Sequence, residues 1–140
     1  MKPEIVGLVK LAFRVELPVN MVCGTWLPGY YHGNDKVKHT YKEDHYFKEY
    51  LDKVHGVLSR PDVYMNAALL AEDNDCILSY AVLESFGNDG NLLHWVYTKP
   101  AWRKMGLAKE LIPSDVFGVT HTTSLGEKLK PAHWRIEPLA

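Results

Sequence analysis

The stretch Leu92–Ile112, LLHWVYTKPAWRKMGLAKELI, decides the fold of this chain. Leu92–Thr98 is apolar, β-branched and aromatic and contains neither Gly nor Pro, which predicts a buried β-strand. Lys99-Pro100 interrupts that pattern, and Ala108–Leu111 consists of strong helix formers. A strand, a short basic loop and a helix start form a geometry that binds phosphate, because the first N–H groups of a helix lack internal partners.

The loop inside this stretch carries the features that an anion needs. Gly106 allows the backbone to come close to a ligand, and Arg103 and Lys104 add positive charge. An ordinary strand–loop–helix turn without a ligand is the alternative, since a short fingerprint needs structural context.

The same residues resemble motif A of the GNAT N-acetyltransferase superfamily, V-x-P-x-[YW]-R-x-x-G-x-[GA]. The soft departures are Thr98 in place of an aliphatic residue and Ala108 in place of the commoner Gly. The matching positions in this chain are Thr98, Pro100, Trp102, Arg103, Gly106 and Ala108.

Length and composition limit the class of protein. The chain has 140 residues, 46% hydrophobic and 24% charged, so we expect one soluble domain over residues 1–140. A net charge of -1 gives no support to nucleic-acid or membrane-surface binding. Cys23 and Cys76 form no C-x-x-C pair and predict two buried, reduced thiols. No run reaches the roughly 18 apolar residues of a membrane span, and no signal peptide is recognised, so we expect a cytoplasmic protein.

The residues before the motif predict alternating strands and helices. We expect a strand over Val9–Leu17 and a helix over Val19–Tyr31 that breaks near Pro28-Gly29. The polar residues 33–40 predict a loop, and Tyr41–Ser59 predicts an amphipathic helix. Its apolar stripe comprises Phe47, Leu51, Val54 and Leu58.

Two further strands precede the motif strand. Val63–Ala71 and Cys76–Glu84 have strand character, with a turn over Glu72–Asp75 between them, and Phe86–Asn91 forms the next turn. Three consecutive antiparallel strands followed by a strand–loop–helix unit also resemble the GNAT order. They argue against a Rossmann or P-loop protein, which is built from parallel units.

The residues after the motif predict short elements. Pro113 ends the motif helix earlier than is usual in GNAT proteins, and Val116–Val119 predicts a fifth strand. Thr123–Lys130 predicts a short helix, with Ser124 as its N-cap and Glu127 three residues on. His133–Glu137 predicts a last edge strand.

The resemblance implies an α/β (α+β) fold and a co-substrate. The expected sheet is mixed, mostly antiparallel, flanked by helices and splayed between strands 4 and 5. The co-substrate would be acetyl-CoA, with its pantetheine arm beside the motif strand and its pyrophosphate on the loop. The implied cofactor-binding residues are Val96, Tyr97, Thr98, Arg103, Lys104, Met105, Gly106, Leu107, Ala108 and Lys109.

The general base and acid are less clear from the sequence. The motif strand has no carboxylate but offers His94, on the face of Leu92, Val96 and Thr98 if side chains alternate. A histidine with a pKa near roughly 6.5 suits base chemistry, and Glu84 is a second candidate. The family's usual acid, a Tyr after the fifth strand, is missing. His121 and Ser124 lie in that region, as acids or merely as local caps.

The acceptor pocket is predicted from a dense aromatic segment. Trp26, Tyr30 and Tyr31 would line it, with core packing as the alternative role. His39, His45 and His55 lack the spacing of zinc ligands, so no metal is expected.

Two functions follow. The first is an acetyl-CoA-dependent N-acetyltransferase acting on an amine of an unidentified small molecule, peptide or protein by direct attack. The alternative is a catalytically degenerate GNAT-fold protein that binds acyl-CoA or a protein partner. The small size is similar to that of compact bacterial or phage members, and a homodimer is left open.

Overall fold

The computed structural model describes residues 1–137, and its centre is a six-stranded sheet with the strands in sequence order. The first four strands are antiparallel, and the fifth and sixth run parallel to the fourth. The sheet is therefore mixed and mostly antiparallel, as predicted. The strands are β1 Val9–Ala12, β2 Val63–Leu70, β3 Asp73–Ser85, β4 Asn91–Thr98, β5 Val116–Val119 and β6 Arg135–Ile136.

In the described part of the chain, five α-helices flank this sheet. They are α1 Val19–Gly33, α2 Asp35–Thr40, α3 Glu43–Leu58, α4 Leu107–Leu111 and α5 Ser124–Leu129. Short 3₁₀ segments cover Pro3–Leu8, Gly87–Asp89 and Pro100–Trp102. No helix within residues 1–137 is long and apolar enough to cross a membrane.

The two faces of the sheet bury separate cores. Along β3, Tyr80 and Val82 pack with α1 and α3, whereas Ala81 and Leu83 pack with α4. This alternation is the period of two that a strand imposes on its side chains. We call these groups the α1–α3 core and the α4 core. The first contains Trp26, Tyr46, Val54 and Trp95, and the second Ile5, Leu93, Leu107, Leu111 and Val116.

The first strand is shorter than predicted. β1 ends at Ala12, not at Leu17, because Arg14 adopts a left-handed backbone with φ 53° that an extended strand does not accommodate. Val15 returns to the sheet through one hydrogen bond, from its N–H to the Met65 carbonyl.

The expected break at Pro28-Gly29 is wrong, because α1 runs unbroken through Pro28. A proline there removes one backbone donor, and the packing of the helix on the sheet offsets that loss. Gly29 serves that packing: a Cβ placed on it would lie 2.9 Å from Cζ2 of Trp95.

Residues 33–40 are not a loop. They contain α2, which begins where the Oδ1 of Asn34 accepts a hydrogen bond from the N–H of Val37. Asn at an N-cap followed by Asp in the first turn favours a helix start, and the prediction of a loop did not take this into account. Ser124 contributes as well, because its Oγ accepts from the N–H of Asp35.

The predicted stripe on α3 is partly wrong. The buried residues are Tyr46, Val54 and Val57, whereas Leu51 is 39% exposed. Tyr46 takes the central place because its hydroxyl donates to the Leu27 carbonyl, which joins α3 to α1. Phe47 and Leu58 are only partly buried against the same core.

Three local predictions need correction. The β2–β3 turn is tighter than expected, with β3 beginning at Asp73. The N-cap of α5 is Thr123, whose Oγ1 accepts from the Gly126 N–H, so the predicted capping box at Ser124 is wrong. Cys76 is half-buried, while Cys23 is buried as predicted; both are free thiols.

β4 and β5 separate after a short paired segment. Their register runs from Asn91 opposite Val116 to Leu93 opposite Val119, and hydrogen bonds from Thr120 and His121 to β4 end the contact. Beyond His94, β4 has no strand partner on that side within residues 1–137. The predicted splay is therefore present, and it opens the site described next.

Candidate functional site

A groove lies where β4 and β5 separate. Its volume is about 770 Å³. β4 and α4 form one wall, and the end of β5, His121 and α5 form the other. Lining residues from both walls include Trp95, Val96, Ala108, Val119, His121 and Lys130.

One end of the groove is the Arg103–Gly106 loop, for which the sequence predicted anion binding, and we call it the anion-binding loop after that prediction. Lys104 and Gly106 have left-handed backbones, with φ 64° and 82°. The N–H groups of Lys104, Met105 and Gly106 donate no hydrogen bond to any described residue. Successive free N–H groups around left-handed residues form a concave nest that suits an anion. Arg103 is held beside this nest, because its Nε donates to the Thr98 carbonyl at 3.0 Å.

The structure gives Gly106 a reason beyond ligand approach. Its φ of 82° lies in the region that glycine tolerates best. A Cβ placed there would also lie 2.9 Å from the backbone nitrogen of Met1, and the N–H of Lys2 donates to the Met105 carbonyl. The N-terminal residues therefore support the loop from its other side.

Most predicted cofactor residues line this groove. Tyr97 does not, because its ring packs in the α1–α3 core, 5.9 Å from the ring of Tyr80. Met105 also lies outside the groove, against the α4 core. The eight that line it are Val96, Thr98, Arg103, Lys104, Gly106, Leu107, Ala108 and Lys109.

A β-bulge at His94 changes the predicted faces of β4. Val82 lies opposite Trp95 and Leu83 opposite Leu93, so His94 is the extra residue. Leu93 and Val96 therefore share the α4 core, while Trp95 belongs to the α1–α3 core. The expectation that His94 shares a face with Val96 and Thr98 is wrong, since a bulge breaks the period of two.

A chain of hydrogen-bonded polar side chains runs through the α1–α3 side of the sheet. Nη1 of Arg60 lies 3.1 Å from Oε1 of Glu84. The same carboxylate oxygen lies 2.7 Å from Nε2 of His94. Oγ1 of Thr120 lies 2.9 Å from Nδ1 of His94 and 2.9 Å from Nδ1 of His121. We call the members from Glu84 to His121 the polar chain.

Burial and charge set the protonation of the polar chain. Burial lowers the pKa of His94, and the bond to Glu84 offsets only part of that effect. Burial raises the pKa of Glu84, but hydrogen bonds from His94 and Arg60 outweigh burial and lower it overall. Burial, with His94 and Lys53 nearby, lowers the pKa of His121 to about 3. At neutral pH, Glu84 is therefore ionised and both imidazoles are neutral.

His121 also lines a second, smaller cavity. This cavity has a volume of about 290 Å³ and is lined by Tyr30, Tyr50, Lys53, Thr120, His121, Ile136 and Glu137. His121 is 4% exposed overall, and the rings of Tyr30 and Trp26 meet it edge to face at 4.8 and 5.2 Å. Among residues 1–137, His121 is the one residue that lines both of these cavities.

The other residues predicted as catalytic, His94, Glu84 and Ser124, lie outside both cavities. His94 is fully buried and, like Glu84, lines neither cavity, so neither can touch an acceptor there directly. Ser124 caps the start of α2 and also lines neither. Thr120 was missed, because a lone threonine after a strand carries no signal of a catalytic neighbourhood.

The three residues predicted to line the acceptor pocket lie in different places. Tyr30 lines the second cavity. Trp26 is fully buried in the α1–α3 core, and Tyr31 packs 4.9 Å from the ring of Tyr46 and donates to the Tyr41 carbonyl. Core packing, the alternative role, is therefore what the structure shows for Trp26 and Tyr31.

Comparison with known proteins identifies the fold. No protein-family model and no curated protein sequence matches the chain. Among solved structures, it matches a proposed acetyl transferase from Pyrococcus furiosus with a TM-score of 0.58 and 10% identity, over 74% of this chain and 68% of that one. The fold is therefore that of the GNAT acetyltransferases, as the sequence predicted.

Two further matches have lower scores. The PaiA N-acetyltransferase of Thermoplasma acidophilum, in complex with coenzyme A, has a TM-score of 0.46 and 12% identity over 74% of this chain and 66% of its own. An aminoglycoside N-acetyltransferase, AAC(6')-Iy in complex with CoA, has a TM-score of 0.43 and 12% identity, over 94% of this chain and 78% of its own. The chain spans 60 to 68% of the first four matched structures.

Proposed function

We propose that this protein transfers an acetyl group from acetyl-CoA to an amine. One observation carries the proposal: His121 lines both the groove that ends at the anion-binding loop and the smaller cavity. A donor and an acceptor bound in the two cavities would meet at that imidazole. Holding two reactants together in this way removes much of the entropic barrier to their reaction.

The groove has the features that acetyl-CoA requires. The free N–H groups of residues 104–106 and the side chains of Arg103 and Lys104 would hold the pyrophosphate. The unpaired side of β4 beyond His94 would supply backbone partners for the amides of the pantetheine arm. A groove of about 770 Å³ is within the range of cofactor sites.

The smaller cavity suits an amine at the end of a narrow group. Tyr30 and Tyr50 supply aromatic walls, whose faces can attract an ammonium group. The carboxylate of Glu137 also lines the cavity, and its Oε1 lies 3.1 Å from Nε of Arg135. Lys53 lines the same cavity and limits the charge of the acceptor, because its ammonium repels a second cation. A small primary amine or one lysine-like side chain fits these constraints.

The reaction needs a proton acceptor. An alkyl ammonium must lose one proton before its nitrogen has a free electron pair. The acetyl thioester supplies the leaving group: the C–N bond forms, the C–S bond breaks, and the second proton of the nitrogen ends on the thiolate. His121 is the group that both cavities reach, so this chain presents it to the ammonium.

Release of free thiol from acetyl-CoA tests the proposal. We would measure it with alkyl monoamines, diamines, amino sugars and lysine-containing peptides, and with no amine as the blank. We expect amine-dependent release that falls at least about 10²-fold in His121→Asn, which keeps a donor toward Thr120 but lacks Nε2. Binding of acetyl-CoA with no release above the blank for any amine would contradict catalysis and favour a binding protein.

A further inference from the structure

The two neutral histidines of the polar chain can each exist as two tautomers, and the chain restricts that choice. An ionised carboxylate only accepts hydrogen bonds. Because Glu84 accepts at 2.7 Å from His94, the proton of that ring must be on Nε2. The Nδ1 of His94 is then an acceptor.

The tautomer of His94 determines the tautomer of His121, because Thr120 makes a hydrogen bond with each ring. A hydroxyl has one proton to donate. Two acceptors on His94 lie within reach of the Oγ1 of Thr120, the ring Nδ1 at 2.9 Å and the backbone carbonyl at 3.3 Å. Because the contact with Nδ1 is shorter, we assign the proton to Nδ1. The Oγ1 of Thr120 can then only accept from the Nδ1 of His121, which also lies 2.9 Å away. The neutral ring of His121 must therefore have its proton on Nδ1 and an electron pair on Nε2.

The other ring nitrogen of His121 is Nε2. It makes no hydrogen bond with any described residue. His121 lines both the groove and the smaller cavity, so Nε2 is the nitrogen of this ring that is left for a reactant.

We propose that Glu84, acting through His94 and Thr120, holds His121 as the Nδ1–H tautomer, so that Nε2 of His121 is the base that deprotonates the amine. This role rests on the proposed acetyl transfer. His121 is the catalytic residue, whereas Glu84, His94 and Thr120 are positioning residues. Free histidine prefers the Nε2–H tautomer, so the polar chain must impose the Nδ1–H tautomer on His121.

The polar chain also carries the proton away. As Nε2 of His121 takes a proton from the ammonium, its Nδ1 proton moves to Thr120, and the Thr120 proton moves to Nδ1 of His94. The Nε2 proton of His94 then moves toward Glu84, whose carboxylate balances the charge and is partly exposed beside Arg60. After these shifts His121 has its proton on Nε2 and His94 has its proton on Nδ1. The starting tautomers return when the shifts run in reverse and Nε2 of His121 releases its proton to solvent after the product has left.

The groups around His121 define its electrostatic surroundings. α1 contributes Tyr30, α3 contributes Tyr50 and Lys53, and Glu137 follows β6. His94 on β4 is the nearest titratable group through Thr120. Burial first, and then the charge of Lys53, oppose a lasting positive charge on His121, so a useful base requires that the proton be passed on toward Glu84.

Nitrogen NMR of the imidazole rings tests the tautomers without cofactor or acceptor. In protein labelled with ¹⁵N-histidine, two-bond ¹H–¹⁵N spectra distinguish a protonated from an unprotonated ring nitrogen. We expect Nδ1–H for His121 and Nε2–H for His94, with His121→Asn identifying the first ring. A His121 ring with its proton on Nε2 in the native protein would overturn the proposal.

Matched hydroxyl variants complete the test. Thr120→Val should release His121 toward Nε2–H, and Thr120→Ser should restore the native pattern. Thr25→Val removes another partly buried hydroxyl, bonded to Tyr80, and should leave both rings unchanged. A tautomer change in Thr25→Val, or no tautomer change in Thr120→Val, would contradict the proposal that Thr120 sets the tautomer of His121.

The role in catalysis has its own readout. With an amine that shows turnover, Thr120→Val should lower kcat about 10²-fold at unchanged KM for acetyl-CoA, and Thr25→Val should keep both. Correct tautomers with no turnover for any amine would reject the proposed acetyl transfer and, with it, the role of His121 as base, while the tautomer assignment would stand. Full kcat in Thr120→Val would overturn the positioning role alone.

Discussion

Oε1 of Glu84 lies 2.7 Å from Nε2 of His94, and the imidazole at this contact is completely buried. We expect Glu84→Ala to lower the free energy of unfolding by about 2–3 kcal/mol, because a buried N–H loses a charged acceptor. Glu84→Gln keeps a carbonyl oxygen for His94 and should cost about half as much. Urea unfolding measures both changes.

The exposed Glu72 is the control for that prediction. Glu72→Ala should change stability by less than about 0.5 kcal/mol, as surface substitutions usually do. If Glu84→Ala costs no more than Glu72→Ala, the contact with His94 does not stabilise the fold.

The low pKa of His121 makes stability depend on pH. Its pKa is about 3 in the fold against 6.5 for the unfolded chain, so the unfolded state binds more protons between these values. Stability from His121 is therefore present above pH 6.5 and is lost as pH falls toward 3, by up to about 1.4 kcal/mol per pH unit. The lowered pKa values of His94 and Glu84 act in the same direction.

His121→Asn isolates that contribution. The variant keeps His94 and Glu84, so its unfolding free energy should fall less steeply than that of the native protein between pH 6 and pH 4. Urea midpoints across this range give the comparison. Parallel curves for the two proteins would show that His121 is not kept neutral by burial.

Two glycines of α1 should respond in opposite directions to alanine. A Cβ at Gly29 would lie 2.9 Å from the buried ring of Trp95, so Gly29→Ala should destabilise by about 1–3 kcal/mol. Gly24 has nothing within 4 Å of an added Cβ, and Gly24→Ala should stabilise by up to about 1 kcal/mol through helix propensity. Thermal unfolding measures both. Equal effects of the two substitutions would mean that α1 does not depend on close approach to Trp95.

The sequence predicted the elements whose signals are local. The predicted fifth strand, Val116–Val119, coincides with β5, and Pro113 correctly predicted that α4 ends early. α2 was missed, although Asn34 followed by Asp35 is a local signal, because the surrounding residues are polar. The break at Pro28 was predicted in error, because packing against the sheet is a tertiary effect that a proline pattern does not report.

Only part of the candidate site could be predicted from the sequence. The anion-binding loop is continuous in the chain, so its spacing could be read directly. The polar chain joins β3, β4 and the residues after β5, and its register depends on the bulge at His94. No spacing along the chain encodes that contact, which is why Thr120 was absent from the prediction and His121 was expected to act as an acid or a cap.

Binding of acetyl-CoA to two matched variants tests the central claim most directly. Ala108 lines the groove in the first turn of α4, where a glutamate suits the helix dipole and should preserve the fold. Ala108→Gln has nearly the same volume as Ala108→Glu without the charge. In calorimetric titrations we predict that Ala108→Glu weakens acetyl-CoA binding at least about tenfold relative to Ala108→Gln, because a carboxylate beside the loop repels the pyrophosphate. Equal affinity of the two variants, or no binding by the native protein, would contradict acetyl-CoA binding in this groove.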